Sequence, residues 1–146
     1  MNLIAKISES WGWVSISPLR IVAENEFGNL IIEDIEGRFW RLCPEELSCL
    51  VIADSEDELS EVRSDPDFVA EWEMRTLVEE ARKSLGDLSD GRKFCLKIPG
   101  IFGGAYEIEN IAIVPFEELI SISGDLAFQC KDIPDGTKVI LEVVDE

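Results

Sequence analysis

Histidine is absent from the 146 residues of the sequence. Histidine is the commonest general base, the usual member of a catalytic triad and the most frequent transition-metal ligand, so its absence removes the usual routes to acid–base and metal chemistry. The sequence also contains no nucleophile elbow, no His/Glu metal-binding helix and no P-loop. We therefore expect no enzymatic activity, no catalytic residues, and no bound metal or cofactor.

Cysteine pairs and long apolar runs are missing as well. The four cysteines, at positions 43, 49, 95 and 130, include no Cys-x-x-Cys pair, whereas structural zinc sites are typically built from such pairs. Their flanks are mostly apolar, so we expect buried, reduced thiols. No run reaches the roughly 18 apolar residues of a membrane span, and the N-terminal residues lack the apolar core of a signal peptide. We predict a cytoplasmic location.

Basic residues are scarce, since 13 Lys and Arg face 31 Asp and Glu, which gives a formal net charge of −18. Such a field repels nucleic acid and anionic membranes and attracts basic partners, so we predict neither nucleic acid nor a membrane as a partner. The charge could also serve solubility alone. A hydrophobic fraction of 46% is ordinary for a soluble protein, and a chain of this length can form one core. We predict a single domain over residues 1–146.

The spacing of apolar residues predicts an α+β fold with a mostly antiparallel sheet of about six strands. Helical spacing occurs at 3–11, 55–63, 65–85 and 116–131, which gives an N-terminal helix, a central acidic helical pair and a C-terminal helix. Gly124 lowers the helix propensity of the last of these helices, which allows a kink or a break there. Alternating spacing occurs at 19–23, 29–33, 38–42, 48–53, 93–98, 106–113 and 139–143. Asn2 and Ser55 are placed to cap the first two helices, and Ser55 with Glu58 has the form of a capping box.

Residues 97–119 combine the end of a strand, a glycine-rich turn and the start of a helix. Pro99 and Gly100 end the strand, and the segment 100–104 (GIFGG) lacks both the dinucleotide and the Walker pattern. Glu107 and Glu109 would repel a phosphate. We therefore interpret the glycines as residues that allow close backbone packing.

Acidic residues are concentrated in residues 55–80, which hold ten acids and two bases. Two interpretations stay open: a solvated helix face, or a binding surface for a basic partner. Phe68 and Trp72 lie among the acids and favour the second, because strong interfaces combine aromatic anchors with complementary charge. The candidate partner-binding residues are Glu56, Asp57, Glu58, Glu61, Asp65, Asp67, Glu71, Phe102, Gly103, Gly104 and Tyr106. We expect the other carboxylate pairs, at 45–46, 79–80 and 117–118, to be solvated and structural.

An ordered set of residues carries a resemblance to a known family. The set is Leu85-Gly86-Asp87-Leu88, Gly91, Phe94, Pro99, Phe102-Gly103-Gly104-Ala105-Tyr106, Glu109-Asn110, Val114 and Glu118. It resembles the C-terminal domain of the immunity proteins that neutralise DNase toxins of the bacterial type VI secretion system, a domain often found with GAD-like domains. The resemblance is clearest over residues 85–122. It implies a non-enzymatic protein whose partner is a cognate secreted antibacterial toxin.

The charge and the resemblance together suggest a mechanism. A nuclease grips phosphates with a basic surface, and a strongly acidic protein can compete for that surface. We expect the protein to neutralise a toxin, specifically a nuclease, by occluding its substrate site with its acidic surface. The alternative is a non-enzymatic cytoplasmic binding or scaffold module that is acidic for solubility only.

Overall fold

The computed structural model describes residues 2–133, so the turn predicted at 134–136 and the strand predicted at 139–143 lie outside the described residues. Within that range the strands and helices occur in blocks, which confirms the predicted α+β class. In chain order the elements are α1 (Leu3–Trp11), β1 (Pro18–Glu24), β2 (Leu30–Asp34), β3 (Phe39–Cys43), β4 (Ser48–Ala53), α2 (Glu56–Ser64), α3 (Pro66–Glu73), α4 (Arg75–Leu85), β5 (Arg92–Leu96), β6 (Ile111–Pro115) and α5 (Phe116–Cys130). Short 3₁₀ turns occupy Gly12–Val14, Pro44–Glu46, Gly100–Phe102 and Ile108–Asn110.

Strands β1 to β4 form an antiparallel meander, in the order β1-β2-β3-β4, which agrees with the predicted antiparallel sheet. Because successive side chains of a strand point to opposite faces, this sheet can bury both of its faces. Leu30 and Leu42 lie in a core that the sheet shares with α1 and α5. Ile31 and Phe39 lie in a second core, which Leu59 of α2 and the aromatic residues of α3 cover. The acidic helices α2 and α3 are therefore anchored on the sheet through their apolar side.

Strands β5 and β6 pair antiparallel in a separate two-stranded sheet, so the strands are divided between two sheets. The reason is a third core, in which Phe94 of β5 and Ile111 of β6 pack against Val78 and Ala81 of α4. Phe27, from the loop between β1 and β2, completes this core. Both strands are shorter than predicted, because the 3₁₀ turns at 100–102 and 108–110 occupy the segment between them.

The prediction of one continuous helix over 65–85 was wrong, because the chain breaks at Met74. Met74 has a left-handed backbone (φ 43°, ψ 44°) and packs against the third core. Asn25 donates a hydrogen bond from Nδ2 to the carbonyl oxygen of Trp72 at 2.9 Å, which satisfies a carbonyl group left free by the break. The break lets α3 cover the large sheet while α4 covers the small one.

The first and last helices pack closely on each other. Asn2 caps α1 as predicted, since its Oδ1 accepts a hydrogen bond from the Ala5 N–H at 3.1 Å. Helix α5 runs through Gly124 as one helix from Phe116 to Cys130, so the helix does not break at this glycine. A Cβ at Gly124 would lie 2.3 Å from the carbonyl oxygen of Ser10 in α1. Glycine is therefore required here by the close approach of two helices.

Candidate functional site

Ser55 caps helix α2 as predicted, and the reciprocal bond of Glu58 goes to Asp54 instead of to Ser55. Ser55 Oγ accepts a hydrogen bond from the Glu58 N–H at 3.2 Å, and Glu58 Oε2 accepts one from the Asp54 N–H at 3.2 Å. Leu59 is the buried residue of this helix. The remaining carboxylates of α2, including Asp57 and Glu61, are exposed to solvent.

Helix α3 continues the acidic surface. Asp65 caps it, because its Oδ1 accepts a hydrogen bond from the Asp67 N–H at 2.9 Å, and Pro66 occupies the first turn. Residues 56–73 hold eight acids and one base. All seven acids predicted to bind a partner are exposed: Glu56, Asp57, Glu58, Glu61, Asp65, Asp67 and Glu71. We call these seven residues the acidic surface.

Most of the charge on the acidic surface is not neutralised by neighbouring cations. Glu56 lies 3.8 Å from Arg20, and Glu71 lies 2.9 Å from Arg41. Asp57, Glu61 and Asp67 form no ion pair within residues 2–133. A basic partner could therefore bind these three carboxylates without breaking an ion pair seen within residues 2–133.

The aromatic residues of α3 face the sheet rather than a partner. Phe68 and Trp72 stack with ring centroids 6.0 Å apart, and both pack against the core beneath α3. The guanidinium carbon of Arg41 lies 5.5 Å from the centroid of Phe68 and 5.3 Å from that of Trp72. The interleaved aromatics therefore fix α3 onto β3 and hold a cation between the helix and the sheet.

A buried polar network extends from Arg41. Its Nε and Nη2 donate to Asn29 Oδ1 at 3.2 and 3.1 Å, and Asn29 Nδ2 donates to both carboxylate oxygens of Glu45 at 2.6 and 2.9 Å. Cys43 Sγ donates to Glu45 Oε1 at 2.6 Å. The expectation that Glu45 is solvated was therefore wrong, since its side chain is only 5% exposed. The signal in the sequence was an arginine within an otherwise apolar strand, because a buried charge needs partners.

Burial governs the titration of this network. Desolvation raises the pKa of Glu45, although hydrogen bonds from Cys43 and Asn29 and the charge of Arg41 oppose it. Desolvation and the charge of Glu45 likewise raise the pKa of Cys43, and burial raises the pKa of Cys49 to about 12. All four cysteines are free. The thiols therefore stay protonated and unreactive at neutral pH.

The glycine-rich turn at 98–106 is closed by one side chain. Asn110 Oδ1 accepts from the Ile98 N–H at 2.9 Å, and Asn110 Nδ2 donates to the carbonyl oxygens of Ile98 and Ala105 at 3.0 Å each. Gly103 has φ +88°, and a Cβ at Gly104 would lie 1.8 Å from the Ile98 oxygen. Gly104 therefore allows close backbone packing, as predicted, whereas Gly103 allows a left-handed backbone.

The glycine-rich turn is attached to the 3₁₀ turn at Pro44–Glu46. The Tyr106 hydroxyl donates to Glu46 Oε1, and a Cβ at Gly100 would lie 2.3 Å from the same oxygen. Burial and the Glu46 carboxylate raise the pKa of Tyr106, so the phenol stays protonated. Ile101, at 60% exposed, projects from this turn into solvent.

Side-chain contacts connect the two sets of predicted binding residues. Glu71 of the acidic surface pairs with Arg41, and Arg41 binds Asn29, which binds Glu45. The next residue, Glu46, holds Tyr106 of the glycine-rich turn. The acidic surface and the turn do not form one contiguous patch, but they are fixed to the same sheet, at either end of β4.

Residues 2–133 contain no group of three or more Cys, Asp or Glu side chains that could hold a metal ion. No helix in this range is long and apolar enough to cross a membrane. Two surface grooves, of about 360 and 380 Å³, are lined by other residues than those of the glycine-rich turn.

Comparison with known proteins identifies the family. A search of curated proteins finds no match. A family profile described as T6SS immunity protein Tdi1, C-terminal, matches residues 53–127, just over half of the chain. The matched segment runs from the end of β4 through the acidic helices, the small sheet and the glycine-rich turn into α5. The chain therefore belongs to the family of type VI secretion system immunity proteins defined by the C-terminal region of Tdi1.

Proposed function

We propose that this protein binds a cognate secreted antibacterial toxin, a nuclease, and neutralises it by covering its substrate site with the acidic surface. It does so in the cytoplasm, where the nucleic acid to be protected lies, and without catalysis of its own. Residues 1–146 act as one domain in this role. Membership of the immunity family supports the choice of a toxin as partner.

One observation carries the choice of a nuclease. The acidic surface holds carboxylates that are exposed and, at Asp57, Glu61 and Asp67, not ion-paired within the described residues. A nuclease must present a basic surface to a phosphate backbone that carries one negative charge about every 1.7 Å of duplex. Rows of carboxylates on α2 and α3 offer that surface a substitute for phosphates. Opposite charges also speed the encounter of the two proteins.

The glycine-rich turn supplies the second contact. Phe102, Gly103, Gly104 and Tyr106 lie in a turn that Asn110 and Glu46 hold rigid. A rigid turn loses little conformational entropy on binding, and Ile101 beside these residues offers exposed apolar surface. We assign shape recognition to this turn and electrostatic attraction to the acidic surface.

Co-expression tests the proposal. Immunity genes usually lie beside a toxin gene, so the secreted toxin encoded next to this gene is expressed in a bacterial host with or without this protein. We expect the toxin alone to degrade host DNA and stop growth. Co-expression of this protein should leave the DNA intact and restore growth. Failure of the intact protein to protect would refute the immunity role. Protection against a toxin that leaves nucleic acid intact would refute the choice of a nuclease.

A further inference from the structure

Among residues 2–133, strand β4 forms one edge of the large sheet. It pairs with β3 on one side, and no strand within residues 2–133 pairs with its other side. Its six residues, Ser48–Ala53, include no charged residue and no proline. Leu50 is 65% exposed, and Val51 is also exposed. An uncharged apolar edge strand is a template for pairing with another chain, and proteins usually protect such edges.

The opposite edge of the same sheet is protected. Strand β1 begins with Pro18, which cannot donate a hydrogen bond to a neighbouring strand. Its pairing with β2 shifts register twice, whereas the pairing of β3 with β4 shifts once, at the end of β4 nearest Ala53. Arg20 and Glu24 add charge to β1, and β4 carries none. Such irregularities and charges discourage pairing with a further strand. The open edge at β4 is therefore a specific feature of one side of the sheet.

The position of β4 connects the two contacts proposed above. The 3₁₀ turn that precedes it holds the glycine-rich turn, and α2 of the acidic surface follows it. A strand of six residues is roughly 20 Å long. A partner segment of about that length, paired along the edge of β4, would reach from the 3₁₀ turn at Pro44–Glu46 to the start of α2.

The charges at the ends of β4 determine which kind of strand can pair with its edge. Glu46 precedes the strand, and Asp54, Glu56 and Asp57 follow it. A second copy of this chain, paired antiparallel, would bring the acids at one end against the acids at the other end, which is repulsive. A foreign strand with an apolar centre and Lys or Arg at both ends would instead meet complementary charge.

We propose that the edge of β4 pairs with an extended segment of the cognate toxin, which adds a fifth strand to the sheet. The inference rests on the proposed function, because it names the toxin as the partner. Backbone hydrogen bonds along the edge supply affinity, and Leu50 and Val51, on alternate faces, supply side-chain contacts. Basic residues at both ends of the toxin segment fix its register against the acids.

Hydrogen exchange on the intact protein tests the pairing directly. The amides of Ser48–Ala53 are followed in the free protein and in its complex with the inactivated toxin from the neighbouring gene. We expect the exchange of outward-facing β4 amides to slow by about tenfold or more in the complex, and β1 amides to stay unchanged. Unchanged exchange throughout β4 in a complex that forms would overturn the inference and leave the proposed function standing.

A pair of matched variants provides the second measurement. Leu50→Lys places a charge on the open edge, and Leu19→Lys does the same on the protected edge, where Leu19 is 55% exposed. We expect Leu50→Lys to speed dissociation of the complex by about tenfold or more and Leu19→Lys to change it by less than about twofold. Equal effects of the two variants would overturn the inference. Slow exchange of the β4 amides in the free protein would also overturn it. Slow exchange at all concentrations would indicate that another part of the chain covers β4, and slow exchange only at high concentration would indicate a second copy.

Discussion

Replacement of Arg41 by alanine tests the network beneath the acidic surface. Arg41 of β3 binds Asn29, which lies just before β2. It also contacts helix α3, where it pairs with Glu71 and lies over the rings of Phe68 and Trp72. Its side chain is only 13% exposed. We expect Arg41→Ala to destabilise the protein strongly and to loosen the attachment of α3 to the sheet.

The expected loss follows from the individual contacts. Leaving the buried Asn29 Oδ1 without its donor costs about 1–3 kcal/mol. Losing the cation from two half-buried aromatic rings costs roughly 1 kcal/mol each. The ion pair with Glu71 adds less than about 1 kcal/mol, because Glu71 is exposed. The sum is about 3–6 kcal/mol, a large part of a typical unfolding free energy of about 5–15 kcal/mol.

Urea unfolding, followed by tryptophan fluorescence and circular dichroism, measures this loss. Glu71→Gln is the matched control, because it removes the ion pair alone, and we expect it to cost less than about 1 kcal/mol. A loss below about 1 kcal/mol for Arg41→Ala, at an unchanged dependence on urea, would refute the reasoning that Arg41 organises this side of the sheet.

Three further substitutions probe other contacts. Gly124→Ala should lower the melting temperature despite alanine's helix propensity, because its Cβ would lie 2.3 Å from the Ser10 oxygen. The control Ser121→Ala, on the exposed face of the same helix, should not lower the melting temperature. Gly104→Ala should destabilise the protein by about 1–3 kcal/mol in urea, because its Cβ would collide with the Ile98 oxygen. Because the pKa of Glu45 is raised, the native state binds the proton of Glu45 more tightly than the unfolded state does. The unfolding free energy should therefore fall as the pH rises from about 4.3, the ordinary pKa of Glu, to the raised pKa of the native state. Glu45→Gln should flatten that fall, and an identical pH profile would contradict the assignment.

Much of the fold could be predicted from local patterns. The spacing of apolar residues within 18–53, 3–11 and 116–131 predicted elements of the right type, because strands and helices bury side chains at different periods. The break at Met74 could not be predicted, because it depends on Asn25, which lies 49 positions earlier and binds the carbonyl of Trp72. A continuous apolar stripe does not reveal that its two halves cover different sheets.

The polar residues of the site were harder to predict than the apolar ones. The acidic surface is exposed as its composition indicated, and its role in binding stays a prediction. Glu45 was assigned to solvent because an acid next to an acid usually is solvated. Its burial follows from Asn29, immediately before β2, and from Arg41 of the neighbouring strand β3. Such pairings arise from strand register, which the spacing of residues along one strand does not contain.

The rate of association with the toxin tests the central claim most directly. Asp57, Glu61 and Asp67 are replaced together by lysine, and Glu58 is left intact because it takes part in capping α2. The control variant carries lysine at three exposed acids elsewhere, Glu80, Asp87 and Asp90, so that both variants change the net charge equally. Stopped-flow mixing with the inactivated toxin is carried out over a range of salt concentrations.

The account predicts that association of the intact protein slows as salt rises, because attraction between exposed charges is screened. It predicts that the Asp57, Glu61 and Asp67 variant associates about tenfold more slowly or worse at low salt, with a weaker dependence on salt, and that the control variant stays within about threefold of the intact protein. A rate of association that is independent of salt, or an equal loss in both variants, would contradict the claim that the acidic surface binds the toxin.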